Sequence, residues 1–155
     1  MKHRTLQVLL KVCRRQGIRM TQQRRVILEA LAGRDDHPTA DMLYEEVQAL
    51  LPDVSKTTVY RTLDMLVSIG VARNVCHPGS TTRFEAMTTR HHHLVCLWCN
   101  RLIDVVDHGL DNIQLPETRR LGFRIDDYSI QFRGICSECS RESGGSPHRK
   151  TNRRM

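Results

Sequence analysis

The sequence predicts an α+β chain: a helical first half closed by a hairpin, then a smaller unit of short strands. Three observations predict it. Apolar residues recur at helical spacing as far as Gly70, with Thr21, Thr39 and Ser55 ahead of three of the runs. Two β-like runs, residues 71–76 and 81–86, flank the turn signal Pro78-Gly79-Ser80. Beyond residue 90 the chain turns β-like and carries two identical cysteine pairs.

In the first helix Leu6, Leu9, Leu10 and Cys13 keep helical spacing, and Gly17 ends it. Thr21 caps a second helix with Val26, Ile27, Ala30 and Leu31 as its apolar positions and Gly33 at its end. Thr39 caps a third through Leu43, Val47 and Leu50, stopped by Pro52. Ser55 caps a fourth, with Val59, Leu63, Leu66 and Val67 on one face and Lys56, Thr57, Tyr60, Arg61 and Asp64 elsewhere on the cylinder.

Short helices followed by a hairpin make the winged helix-turn-helix pattern, in which the fourth helix reads nucleic acid. Its polar residues have suitable chemistry. Arg61 can donate twice to a guanine edge or hold a phosphate, and Tyr60 and the threonine methyls can touch thymine methyls.

After the polar stretch 87–90, residues 94–106 read as β, residues 110–121 as a helix despite Pro116, and residues 123–135 as partly alternating strand. This second unit buries little on its own, so a second copy of the chain is expected to add core that one copy lacks. The tail from Ser143 is polar and basic and reads as disordered. The expected organisation is residues 1–86, 87–142 and a tail 143–155.

Cys96-Leu-Trp-Cys99 and Cys136-Ser-Glu-Cys139 supply the four soft ligands that tetrahedral zinc favours, tying together segments distant in sequence. Four thiolates close the shell, so the expected role is structural. A rubredoxin-like iron site uses the same ligands. Disulfides need an oxidising compartment, and the Met1-Lys2-His3-Arg4 start leads into no apolar signal segment. A dithiol redox motif explains one pair but not two. Cys13 and Cys76 read as ordinary thiols.

A second ligand set surrounds His91-His92-His93. In extended chain His91 and His93 point to one side and His92 to the other. Glu85 ends the hairpin, Asp104 lies on the strand after the first cysteine pair, and His37 lies in the helical half. Imidazole with carboxylate suits Fe(II), Mn(II) or Zn(II). Two histidines and one carboxylate also make the facial triad of a non-haem iron oxygenase, but the many-stranded barrel expected around such a site is missing.

Composition narrows the partners. The net charge is +7. Residues 1–75 carry 12 Lys/Arg against 8 Asp/Glu, residues 76–140 carry 7 against 8, and residues 141–155 carry 5 against 1. A basic first half suggests a polyanion, most simply nucleic acid. No apolar run approaches the length of a membrane span, and the expected location is cytoplasmic.

These residues fall into a known order. The chain resembles the ferric uptake regulator (Fur) superfamily in Gly17-Ile-Arg-Met-Thr-Gln-Gln-Arg24, His37-Pro-Thr-Ala40, Thr57-Thr-Val-Tyr-Arg-Thr-Leu63, Arg83-Phe-Glu85, His91-His-His-Leu-Val-Cys-Leu-Trp-Cys99 and Gly134-Ile-Cys-Ser-Glu-Cys139. The resemblance implies a homodimeric, metal-dependent repressor of A/T-rich palindromic operators, neither an enzyme nor a binder of small organic substrates. It implies an N-terminal winged helix and a C-terminal α/β dimerisation domain. Cys96, Cys99, Cys136 and Cys139 match the family's structural zinc site. His37, Glu85, His91, His93 and Asp104 match its regulatory site for Fe(II) or Mn(II). Arg19 matches the residue that reaches the minor groove, and Tyr60 and Arg61 match recognition-helix contacts.

The chain also departs from the family. Many members have a further metal site with histidines where this chain has Arg90 and Tyr128, so that site is expected to be absent or altered although His92 and Asp111 remain. Peroxide-sensing members (PerR) typically have Asp at the position of Glu85 and often Asn at that of Arg61. Both differences lean toward metal sensing, with peroxide sensing as the alternative.

Overall fold

The computed structural model describes residues 2–75, 81–86 and 89–142. Cys76, the Pro78-Gly79-Ser80 turn and the tail 143–155 lie outside the described residues. The chain divides into two compact units between Arg90 and His91.

The first unit is helical. Helix α1 spans Lys2–Arg15, α2 Gln22–Ala32, α3 Ala40–Leu50 and α4 Lys56–Ser68. Each of the last three starts where the sequence supplies a cap. The hydroxyls of Thr21, Thr39 and Ser55 accept the backbone N–H of Arg24, Met42 and Thr58, satisfying donors that a helix start leaves open. Helix α4 ends because Gly70 takes a left-handed φ of +69°, which lets Val71 N–H reach back to the Leu66 carbonyl.

The buried faces meet in one core. Leu9, Leu10 and Cys13 of α1, Ile27, Leu28 and Leu31 of α2, Leu43 and Val47 of α3, and Val59, Leu63 and Leu66 of α4 belong to it. Leu50 is a correction to the expected apolar stripe, since it is 66% exposed at the end of α3. Strands β1 (Ala72–Val75) and β2 (Arg83–Ala86) follow as an antiparallel hairpin, and Ala72 and Phe84 seat it on the core. The hairpin is also tied to the start of α3, because Phe84 N–H donates to the Pro38 carbonyl.

The second unit is a three-stranded sheet in the order β4-β3-β5. Strand β3 (His92–Cys96) runs antiparallel to β4 (Leu102–Val105) and parallel to β5 (Gln131–Gly134). A single helical turn, α5 (His108–Asp111), follows β4, and a short helix, α6 (Ser137–Glu142), follows β5. The helix expected over residues 110–121 does not form. After α5 the chain is irregular apart from a 3-10 turn at Arg119–Leu121. Asn112 leaves helical geometry at φ −125°, and Pro116 disfavours helix at the residue before it.

This sheet has little hydrocarbon beneath it. Val95 is its one fully buried aliphatic side chain among the described residues. Leu94, Ile103 and Phe132 are register partners in one row across the three strands, and all are exposed.

Leu63 is fully buried in the helical core. Leu63→Ala is expected to destabilise the helical unit by about 2–5 kcal/mol through lost transfer energy and the cavity left behind. Denaturant unfolding followed by helical circular dichroism checks this, and a loss under about 1 kcal/mol would mean that the site collapses or lies outside the core.

Candidate metal centres and nucleic-acid interface

The two cysteine pairs are brought together by the sheet. Cys96 ends β3, and the turn that follows reverses at Asn100, which adopts the left-handed φ of +59° that asparagine tolerates. Cys136 lies just before α6 and Cys139 within it. The parallel pairing of β3 with β5 aligns Cys96 with Gly134, so the second pair arrives beside the first. All four sulfurs lie within 4.8 Å of one another. Cys99 Sγ and Cys136 Sγ are 3.8 Å apart. Four sulfurs at ~2.3 Å from a zinc ion would be ~3.8 Å apart at tetrahedral angles. The set therefore fits zinc in ligand type, number and spacing.

The backbone prepares one of these sulfurs, that of Cys96, for metal. Burial pushes the Cys96 thiol up, but the N–H groups of Cys99, Cys136 and Trp98 at its sulfur outweigh burial and bring it down to about 6. The Cys136 N–H donates to Cys96 Sγ at 3.4 Å. Cys139 is pushed up by the Cys136 thiol and then by burial, as expected where sulfurs crowd without a cation between them. Cys13 lies apart, buried in the helical core, where burial raises its thiol as well.

The imidazole and carboxylate ligands fall into two sets, one per unit. In the helical unit His37 Nε2 lies 3.1 Å from Glu85 Oε2, and both residues are buried. Neighbouring donors around an ion at about 2.1 Å in right-angled coordination sit ~3 Å apart, so this pair has ligand spacing. His37 holds a left-handed φ of +52°, uncommon for a residue with a Cβ. The Arg83 guanidinium donates to the His37 carbonyl at 2.9 Å and so ties this bend to β2.

In the sheet unit His91 and His93 are buried, with ring centroids 4.9 Å apart in an edge arrangement. The Nε2 atom of each is 3.8 Å from the same Oδ1 of Asp104, which faces His93 across the β3–β4 ladder. Three imidazoles and two carboxylates have the donor chemistry of Fe(II), Mn(II) or Zn(II).

His92 points the other way and is engaged by the protein. Its Nδ1 accepts the Ile130 N–H at 3.2 Å, and its Nε2 faces Asp111 Oδ1 at 3.4 Å. The Tyr128 ring stacks on it at 6.2 Å, while the Tyr128 hydroxyl donates to the Leu110 carbonyl. His92, Asp111 and Tyr128 thus lie together through a 3.4 Å imidazole–carboxylate approach and ring stacking.

The polar side of α4 carries Lys56, Thr57, Tyr60 and Arg61, all exposed. Arg61, Thr58 and Thr62 form one wall of a cleft of about 300 Å³ whose other lining residues are Arg19, Thr21, Gln23 and Arg24. Three guanidiniums and no carboxylate line it. Arg24 Nη1 donates to the Arg19 carbonyl at 2.9 Å and fixes the segment that presents Arg19. Lys56 lies outside this cleft, paired with Asp41 at 3.0 Å. That pair is exposed, so DNA phosphate can compete for the lysine. Composition did not single out Arg24, although it closes the same motif as Arg19 one helical turn after the Thr21 cap.

A family model for the "Ferric uptake regulator family" matches residues 15–133. The Bacillus subtilis "Peroxide operon regulator" is 31% identical over 137 residues, covering 88% of this chain and 94% of its own length. Among solved structures, the Helicobacter pylori ferric uptake regulator matches with a TM-score of 0.72 at 20% identity, over 90% of this chain and 94% of its own. A zinc-bound manganese uptake regulator matches with a TM-score of 0.62 at 29% identity, over 83% of this chain and 98% of its own. Fold, ligand chemistry and family match agree: the chain belongs to the ferric uptake regulator family.

Proposed function

We propose that this chain is a metal-dependent transcriptional repressor that binds A/T-rich palindromic operators as a homodimer and responds to Fe(II) or Mn(II). The observation that carries the reading is the placing of ligand donors in both units. His37 and Glu85 belong to the unit with the recognition helix, and His91, His93 and Asp104 belong to the sheet unit. One ion drawing ligands from both sets couples metal occupancy to the angle between the units. Two recognition helices must meet half-sites at a set spacing, so that angle sets operator affinity. The metal is then an effector whose differential affinity for two arrangements supplies the coupling energy.

The four cysteines are assigned to structural zinc, and the sheet unit to dimerisation. The exposed row Leu94, Ile103 and Phe132 is the apolar surface on which a second copy would supply missing core. On the DNA side, Arg61, Tyr60 and Thr57 are assigned to base edges, Lys56 to phosphate, and Arg19 to the minor groove. Arg24 joins them as a phosphate contact. No helix among the described residues is long and apolar enough to cross a membrane, and a cytoplasmic location is proposed.

The relative named for a peroxide operon supports a second reading, in which peroxide reacts with Fe(II) at the same site and is the oxidant that modifies a ligand. An enzymatic reading gains nothing from the geometry. Five protein ligands leave at most one position in an octahedral shell, whereas facial-triad oxygenases keep several open.

Cys139→Ser is expected to lose zinc and, with it, the dimer, because a structural site supplies folding energy. A zinc-replete dimer by sedimentation would sink that role. His91→Ala is expected to keep zinc and fold but lose Fe(II)- or Mn(II)-stimulated operator binding. Unchanged metal dependence in a gel-shift titration would remove His91 from the regulatory set. In the same assay, peroxide added to the Fe(II) form separates the two readings. Lost binding, with mass gained on His37 or His91, selects peroxide sensing, while retained binding selects metal sensing. Arg24→Gln is expected to weaken operator and non-specific DNA alike and to lower the salt slope by about 1, the signature of one phosphate contact. An unchanged slope removes Arg24 from the interface.

A further inference from the structure

Glu85 has a second charged neighbour. The β1–β2 register sets Arg73 directly opposite it, and cross-strand partners share one face of a hairpin. The carboxylate is thereby divided: Oε2 lies 3.1 Å from His37 Nε2, and Oε1 lies 3.8 Å from Arg73 Nε. The Glu85 side chain is only 8% exposed and that of Arg73 22%, so solvent screens this pair weakly.

We infer that Arg73 is a built-in counter-charge that weakens the regulatory site's hold on every divalent cation and so sets the metal concentration at which the protein responds. The inference rests on the assignment of Glu85 and His37 as ligands. A carboxylate ligand holds its ion at about 2.0–2.2 Å, so an ion on Glu85 also lies close to the guanidinium. The guanidinium is a cation, so it and the arriving ion repel.

Arg73 acts on the site in two opposed ways. It helps to orient Glu85, which helps binding, and it repels the arriving ion, which hinders binding. Glu85 is already oriented by the β1–β2 register and by His37 at 3.1 Å, so the first effect adds little while the repulsion acts in full. The net sign is weaker binding. Repulsion of this kind depends on the ion's charge rather than its ligand preferences. It moves Mn(II), Fe(II) and Zn(II) by one common factor, leaving their order to the ligands. Arg73 thus tunes threshold and not identity.

The test is the dissociation constant of the second ion in full-length protein that retains its cysteine-bound zinc, measured by chelator competition with Mn(II) and anaerobically with Fe(II). Arg73→Gln is expected to bind both ions about tenfold tighter, by the same factor, while Arg73→Lys stays within about threefold of the parent because it keeps the charge. Zinc content and thermal midpoint check that both variants fold. Unchanged or weaker binding in Arg73→Gln would overturn the inference, as would factors that differ strongly between the two ions. Glu85→Ala tests the underlying assignment separately. If the parent takes up no second ion, or Glu85→Ala holds it as well as the parent, the ligand assignment falls and this inference falls with it.

Discussion

The sheet unit has little hydrocarbon to hold it, and its cysteine cluster is the other candidate source of stability. Val95 alone among its described aliphatic side chains is fully buried, whereas the helical unit gathers leucines and valines from four helices. A sheet with so small a core needs another source of folding energy, and a four-thiolate zinc site can supply it. The cysteines also fix topology. Cys96 and Cys136 lie 40 residues apart, and Cys136 N–H points at Cys96 Sγ. Closing that cluster holds the parallel register of β3 and β5. The same β3 then carries His92 and His93 at its other end, immediately after His91. The cysteine cluster and the histidine run are linked through one strand.

The helical unit solves a different problem. Its stability comes from packing and caps, and its candidate ligand His37 sits in a strained bend. His37 sits at positive φ just before the Thr39 cap of α3. Such a conformation persists only where the surroundings over-determine it. Arg83 on the His37 carbonyl and Phe84 on the Pro38 carbonyl do so, and both belong to the strand that carries Glu85. One strand therefore positions both proposed ligands of this unit, and its cross-strand partner Arg73 lies beside one of them.

Much of this was legible in the sequence because the signals were local. Thr21, Thr39 and Ser55 each announce a helix, Gly70 ends one, and two Cys-x-x-Cys pairs announce a four-thiolate metal site. The segment after Asp111 misled, because its apolar residues keep roughly helical spacing while Gly109, Asn112 and Pro116 act against a helix. Arg73 was invisible for another reason. Its role depends on hairpin register, and register depends on a turn whose length the sequence does not announce. Arg24 stood inside a recognised motif, yet only the fold shows it closing a cleft with Arg61.

The central claim is that ligands from both units serve one ion, and metal counting after Mn(II) dialysis tests it most directly. One variant would lack the helical-unit ligands (His37→Ala with Glu85→Ala), a second the sheet-unit ligands (His93→Ala with Asp104→Ala), and a third all four. A shared ion predicts that each paired variant loses the same single equivalent and that the combined variant loses no more, the non-additivity expected of residues acting as one unit. Losses that add, with each paired variant retaining an ion on the other set, would show two separate sites and contradict the account.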